Sequence, residues 1–239
     1  MPTPMRPTDF TATGEARPEK PARPRDAATL LLWREGPRGL EVLMGVRSAK
    51  HRFMPSRLVF PGGRVDREDR TAPAASELDP QTRRCLELRA APRLARAIGI
   101  AAIRELEEET GLVLGQLEAG RLRADLAPLR YLCRALTPAM SPVRFNARFL
   151  FAPAELATGS LAGSGELEHL DFYPITETPP HELAPITAKV LGEFRDLMAL
   201  PEAERQRRPL IWYQGRDTRR LERVSQPGRV AAPERESVA

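Results

Sequence analysis

Nine residues, Arg104 to Leu112, constrain this chain more than any other stretch, and they read R-E-L-E-E-E-T-G-L. Arg104, Glu105, Glu108 and Glu109 fall in the second half of a helical run. Gly111 closes it, because glycine takes the left-handed conformation that ends a helix without steric cost. Glu105, Glu108 and Glu109 are three and four residues apart, so their carboxylates project from one face toward a common point. On an exposed helix such crowding costs roughly a few tenths of a kcal/mol per pair. An acidic run of this kind is most often a solvated face. A hard divalent cation with oxygen ligands would instead turn the repulsion into coordination, and Mg²⁺ combines carboxylates with substrate phosphates.

The pattern around this helix predicts strands interleaved with two good helices, hence an α/β chain with a mixed sheet between helices. Ala28–Trp33 (A-T-L-L-L-W) reads as a central strand, and R-E-G-P-R-G over 34–39 as a turn. Leu40–Arg47 alternates as a second strand, completing a hairpin, and Arg57–Phe60 is a brief strand into Pro61-Gly62-Gly63. Gln81–Arg89 suits a short helix. Pro92 opens the long one, on which Leu94, Ile98, Ala102 and Leu106 form an apolar stripe. Residues 112–129 read as a strand and a short helix. Strands follow at 129–136, 143–152 and 166–173, with a flexible glycine loop at 159–165. An amphipathic helix spans 187–200 with Val190, Leu191, Phe194, Leu197 and Met198 on one side, and 210–213 suits a short strand. The first 26 residues hold six prolines and no apolar period, and the last 18 or so look disordered. We therefore expect an arm over 1–26, one domain over 27–200 with an insert at about 64–91, and a mostly flexible extension over 201–239.

Composition removes several function classes. No run approaches the ~18 apolar residues of a membrane span, and no apolar segment follows the N-terminal charges as in a secretory signal. Cys85 and Cys133 form no C-x-x-C pair, so neither a disulfide framework nor a zinc site is expected, and the cytoplasm is the default compartment. The 37 Lys and Arg against 32 Asp and Glu give a net charge of +5. No nucleic-acid-binding signature accompanies the basic runs, so nucleic acid is not expected as a partner. A basic surface also suits an enzyme for anionic phosphates. His51, His169 and His181 are scattered, and no H-E-x-x-H, G-x-S-x-G or G-K-[ST] appears.

R-E-L-E-E-E-T-G-L matches every fixed position of R-E-U-x-E-E-x-G-U, the second half of the Nudix box, and Phe60-Pro61-Gly62-Gly63 resembles the entry to that box. The chain thus resembles a Nudix hydrolase, a family that cleaves nucleoside diphosphates linked to another moiety. The resemblance implies a Nudix-type α/β/α sandwich. It also implies Glu105, Glu108 and Glu109 as ligands of Mg²⁺ or Mn²⁺, with Arg104 orienting a glutamate. Gly62 and Gly63 would let the backbone approach the site.

Two features depart from the usual box. Gly63 and Arg104 are about 40 residues apart where the pattern G-x5-E-x7-R-E leaves far fewer, so roughly 27 are inserted. The box glutamate eight residues before Arg104 is replaced by Arg96, while counting forward from Gly63 lands on Asp69; Asp66, Glu68 or Asp69 are the substitutes to consider. A further acid from outside the box would be Glu166 or Glu168. Upstream, Leu43, Arg47, Ser48, Arg52 and Phe60–Gly63 fall in register with the pattern of coenzyme A-cleaving Nudix enzymes, with Met44, Gly45 and Ser56 departing. The long insert resembles those similar to peroxisomal Nudix 19-type proteins, as do Arg144-Phe145 and Arg148-Phe149. The resemblance thus implies a small-molecule nucleotide substrate, CoA or acyl-CoA, read by Arg47 and Arg52 together with the glycines, with homodimerisation left open. ADP-ribose or a dinucleotide is the rival substrate, and a Nudix-fold regulator without turnover the rival class.

Overall fold

The apolar run at Ala28–Trp33 is the middle of a longer strand, β1 (Arg25–Gly36), buried on both faces because the sheet is covered on both sides. A computed structural model describes residues 22–49, 55–215, 218–222 and 234–235. A tight turn joins β1 to β2 (Gly39–Arg47) in the expected hairpin, and β3 (Leu58–Val59) pairs with β2. One edge of β1 is divided: Trp33–Gly36 pair with β2, while Ala27–Thr29 pair with β4 (Gly62–Arg64). The divided edge brings Gly62 and Gly63 against the centre of the sheet.

The insert carries a 3₁₀ turn at Glu68–Arg70, β5 (Ala74–Ser76) and α1 (Pro80–Glu87). Asp79 caps α1 by accepting from the Gln81 and Thr82 amides, and Pro80 stands at the first turn, where no amide is needed. The long helix α2 (Pro92–Thr110) starts at the expected proline and ends on Gly111, φ 73°. Its Ile98, Ala102 and Leu106 pack on Leu30, Leu32 and Leu150.

Residues 112–129 hold no helix, contrary to the sequence expectation. They form β6 (Leu112–Val113), β7 (Gly115–Glu118) and β8 (Arg121–Asp125), with β7 and β8 a hairpin turning through Ala119 and Gly120 at positive φ. β5 of the insert adds to β8 in parallel.

Next come β9 (Arg130–Leu136), β10 (Phe145–Pro153), β11 (Thr158–Gly159), β12 (Leu167–Pro174), α3 (Pro185–Met198) and the short α4 (Glu202–Arg205). β10 runs parallel to β1 over Arg25–Trp33, and β12 closes the other side against β2. On the face opposite α2, Val190, Phe194 and Leu197 of α3 pack on Leu31, Val42, Met44 and Phe149. The result is an α/β/α sandwich around a mixed sheet.

Within the expected extension over 201–239, the described residues include the short strand expected at 210–213 and two more. β13 (Leu210–Gln214) joins β9 in parallel, β14 (Thr218–Glu222) pairs with β13, and β15 (Glu234–Arg235) pairs with β14. The main sheet thus runs β12-β2-β1-β10-β9-β13-β14-β15. Of the expected arm, residues 1–21 lie outside the described residues, and Arg25–Asp26 already belong to β1. No described helix is long and apolar enough to cross a membrane.

Candidate active site

The last turns of α2 lie alongside β4, and each box residue there has a distinct partner. Glu109 is almost wholly buried and its Oε2 accepts the Gly62 amide at 2.8 Å. Burial pushes its carboxyl up to about 8; the Gly62 amide and Arg47 pull it down, while Glu105 and Glu166 raise it further. Glu105 is also raised by burial, with Arg104 working against the shift. A Cβ at residue 63 would stand 2.5 Å from the Glu105 carboxylate, so only glycine leaves that carboxylate its place beside the backbone. Glu108 points outward, half exposed.

Arg104 binds these groups together. Its Nε and Nη2 donate to the two oxygens of Asp69 at 2.9 and 3.1 Å, a bidentate pair. Nη1 donates to Glu105 at 3.0 Å and Glu108 at 2.8 Å, and Nη2 also to the Arg64 carbonyl at 3.0 Å. Burial disfavours the cation, but the Asp69 hydrogen bonds and the surrounding carboxylates hold it protonated. Asp69 is itself buried and accepts the Asp66 amide at 2.7 Å, so the pair is fixed from both sides.

The two positions considered for the missing box glutamate have different partners. Arg96 donates to Glu77 at 3.0 Å and to the Ala72 carbonyl at 2.9 Å, bracing the insert. Asp69, the sixth residue after Gly63, meets Arg104 instead. Asp66 stands 3.8 Å from the Arg104 Nη2, half exposed. Glu68 and Glu168 are exposed.

Two residues reach the site from the sheet. Arg47 ends β2 and Glu166 precedes β12, joined where the Ser48 amide donates to the Glu166 carbonyl at 3.0 Å; both act electrostatically on Glu109. The Arg47 Nε is buried with no hydrogen-bond partner. Arg52 and His51 lie outside the described residues. Arg144 and Arg148 belong to the frame: Arg148 is buried and pairs with Asp26 at 2.5 Å, and Arg144 donates to the Ala22 carbonyl at 2.8 Å.

Among the described residues no three acidic, histidine or cysteine side chains are already gathered into a metal cage. Arg104 and the Gly62 amide hold the glutamates instead. The donor set nevertheless fits a hard divalent cation. It is all carboxylate oxygen, and burial disfavours the charged forms of Glu109 and the partly buried Glu105, which such an ion would stabilise.

Neither a family model nor a curated protein matches the sequence. Solved structures do. A Nudix hydrolase from Alicyclobacillus acidocaldarius is 26% identical with a TM-score of 0.53, over 71% of this chain and 90% of that one. A MutT Nudix hydrolase from Burkholderia pseudomallei aligns at 20% identity and TM-score 0.46, over 72% of this chain and 98% of that one. The Nudix domain of Shewanella oneidensis NrtR, solved with ADP-ribose, aligns at 14% and 0.46, over 82% and 94%. The first of these agrees with the α/β/α layering around the mixed sheet: the chain has the Nudix hydrolase fold, and the likeness supports an enzyme, a Nudix diphosphatase.

Proposed function

We propose that the protein hydrolyses the phosphoanhydride of a nucleoside diphosphate derivative, with CoA or acyl-CoA the favoured substrate and 3′,5′-ADP and (acyl-)4′-phosphopantetheine the products. The observation that carries this is the convergence of Glu105 and Glu109 on the glycine pair of β4, with Arg47 at the end of β2 acting on Glu109.

Glu105, Glu108 and Glu109 would hold Mg²⁺ or Mn²⁺. When bound, such an ion supplies charge neutralisation at the phosphoryl oxygens and a more acidic water. The rest of the work falls to the chain. Arg104, fixed by Asp69, sets the direction of Glu105 and Glu108. Gly62 fixes Glu109 through its amide, and Gly63 keeps a side chain out of the space before Glu105. Arg47, whose charge acts on Glu109 and whose buried Nε lacks an acceptor, would meet the anhydride itself. The CoA preference rests on the register of Leu43, Arg47, Ser48 and Phe60–Gly63 with the CoA-cleaving pattern, in which Arg52 would take part.

Loss of the box glutamate at Arg96 is what would favour the rival reading, a regulator without turnover. Asp69 weakens that reading, because Arg104 keeps a carboxylate partner.

The test is purified protein with Mg²⁺ or Mn²⁺ against CoA, dephospho-CoA, ADP-ribose, NADH and a diadenosine polyphosphate, with products identified by mass. Release of 3′,5′-ADP from CoA in preference to the others is expected. Cleavage of ADP-ribose or NADH instead would discard the CoA assignment, and tight binding without turnover of any would favour the regulator.

A further inference from the structure

The insert and α2 border a cavity of about 530 Å³, open to solvent and lined by the exposed Arg67, Glu68, Arg70, Thr71 and Arg93. That size lies within the roughly 300–1,000 Å³ typical of small-molecule sites. The arginines there differ from their neighbours on the same flank. Arg96 and Arg104 are consumed by Glu77 and Asp69. Among the described residues Arg67 and Arg70 make no side-chain hydrogen bond or ion pair, and Arg93 makes a single long contact, 3.4 Å from Nε to the Arg70 carbonyl. Glu68 is the one carboxylate in the lining, so the cavity carries an excess of two positive charges.

The frame beneath these side chains is fixed. Asp69, between Glu68 and Arg70, is buried and doubly bonded to Arg104. The Thr71 and Ala72 amides both donate to the Glu68 carbonyl at 3.0 Å, and Arg96 holds the Ala72 carbonyl from α2. Uncommitted guanidinium groups on a braced turn lose little freedom on binding, and their forked donors suit phosphate.

We propose that this cavity binds a phosphate monoester carried by the substrate, separate from the anhydride that is cleaved. The proposal rests on the hydrolase reading above. Arg67 and Arg70 flank the residue that holds Arg104, so the cavity begins beside the reacting groups. Arg93 lies about 16 Å of helix upstream of Arg104, so the cavity extends away from them. A group seated there belongs to the same substrate but not to its diphosphate.

The test compares substrate pairs differing only in one phosphate monoester, CoA with dephospho-CoA and NADPH with NADH, on the full chain. The wild type should favour the phosphorylated member in kcat/KM. In R67A/R93A that preference should shrink by about tenfold, the scale of lost charge-assisted contacts. R83A, which removes a charge from the exposed side of α1, should keep it. No preference in the wild type, or an unchanged preference in the double variant, overturns the proposal. If neither pair is turned over, the CoA assignment fails on its own; calorimetric affinities for the same pairs then judge the cavity, and equal affinities overturn it.

Discussion

Glu109 and Arg104 stand five residues apart and are held by opposite means. Glu109 is nearly sealed from solvent with one backbone donor, whereas Arg104 gathers three carboxylates and a carbonyl. Replacing Glu109 with Gln keeps the shape and an acceptor for the Gly62 amide but removes the carboxyl that could ionise onto a cation. Turnover should fall by orders of magnitude while the thermal midpoint barely moves; retained activity would remove Glu109 from the catalytic set. Asp69 acts through Arg104. Asp69→Asn leaves that guanidinium short of its bidentate partner, and losing one half of a buried ion pair costs about 3 kcal/mol. Glu105 and Glu108 then lose their orientation, and kcat should drop about 10–100-fold, as for partners one shell out from a ligand. KM should change little. Asp69→Glu should restore most of kcat, which a merely destabilised fold would not show.

At the level of elements, the narrowest tolerance lies where β4 meets α2. A Cβ on Gly63 would collide with the Glu105 carboxylate, the free end of a flexible side chain, so the fold gives way cheaply while the carboxylate is displaced. Gly63→Ala should therefore fold with a melting temperature near that of the wild type and lose at least tenfold in kcat/KM; full activity would show that Glu105 need not stand where it does.

The glycine pair, the glutamates and α2 with both its ends were legible in the sequence, because proline, glycine and helical spacing are local signals. The hairpin of β7 and β8 was not. Its turn puts Ala119 at φ 49°, a conformation no sequence rule assigns to alanine, and its strands are half exposed. Asp69 was only a candidate, because the insert obscured the spacing; its role appears once Arg104 is seen to reach it. β14 (T-R-R-L-E) reads as surface, and its burial depends on partners far away, such as Arg89 on Glu222.

On the scale of the whole molecule, one buried acid ties the C-terminal strands to the sandwich. Glu193 of α3 accepts the Tyr213 hydroxyl of β13 at 2.5 Å and the Arg219 Nε of β14 at 2.7 Å, and it pairs with Arg208. Burial alone would raise its pKa; the hydrogen bonds from Arg219 and Tyr213, with both guanidinium charges, outweigh burial and hold it below the ordinary carboxylate value. A carboxyl whose folded pKa is depressed stabilises the fold above its unfolded pKa, near 4.3, and that contribution is lost as pH falls through the folded value. Glu193→Gln should accordingly cost about 3 kcal/mol at neutral pH, because Arg208 and Arg219 keep their charges without a counter-ion. Below about pH 4.3 the wild type loses the same interaction, so the two stability curves should converge as acid is added. The measurement is denaturant unfolding of both proteins between neutral pH and the acid limb. A gap that stays constant with pH would show that Glu193 contributes by packing, and that β13 and β14 are held to the sandwich without its charge.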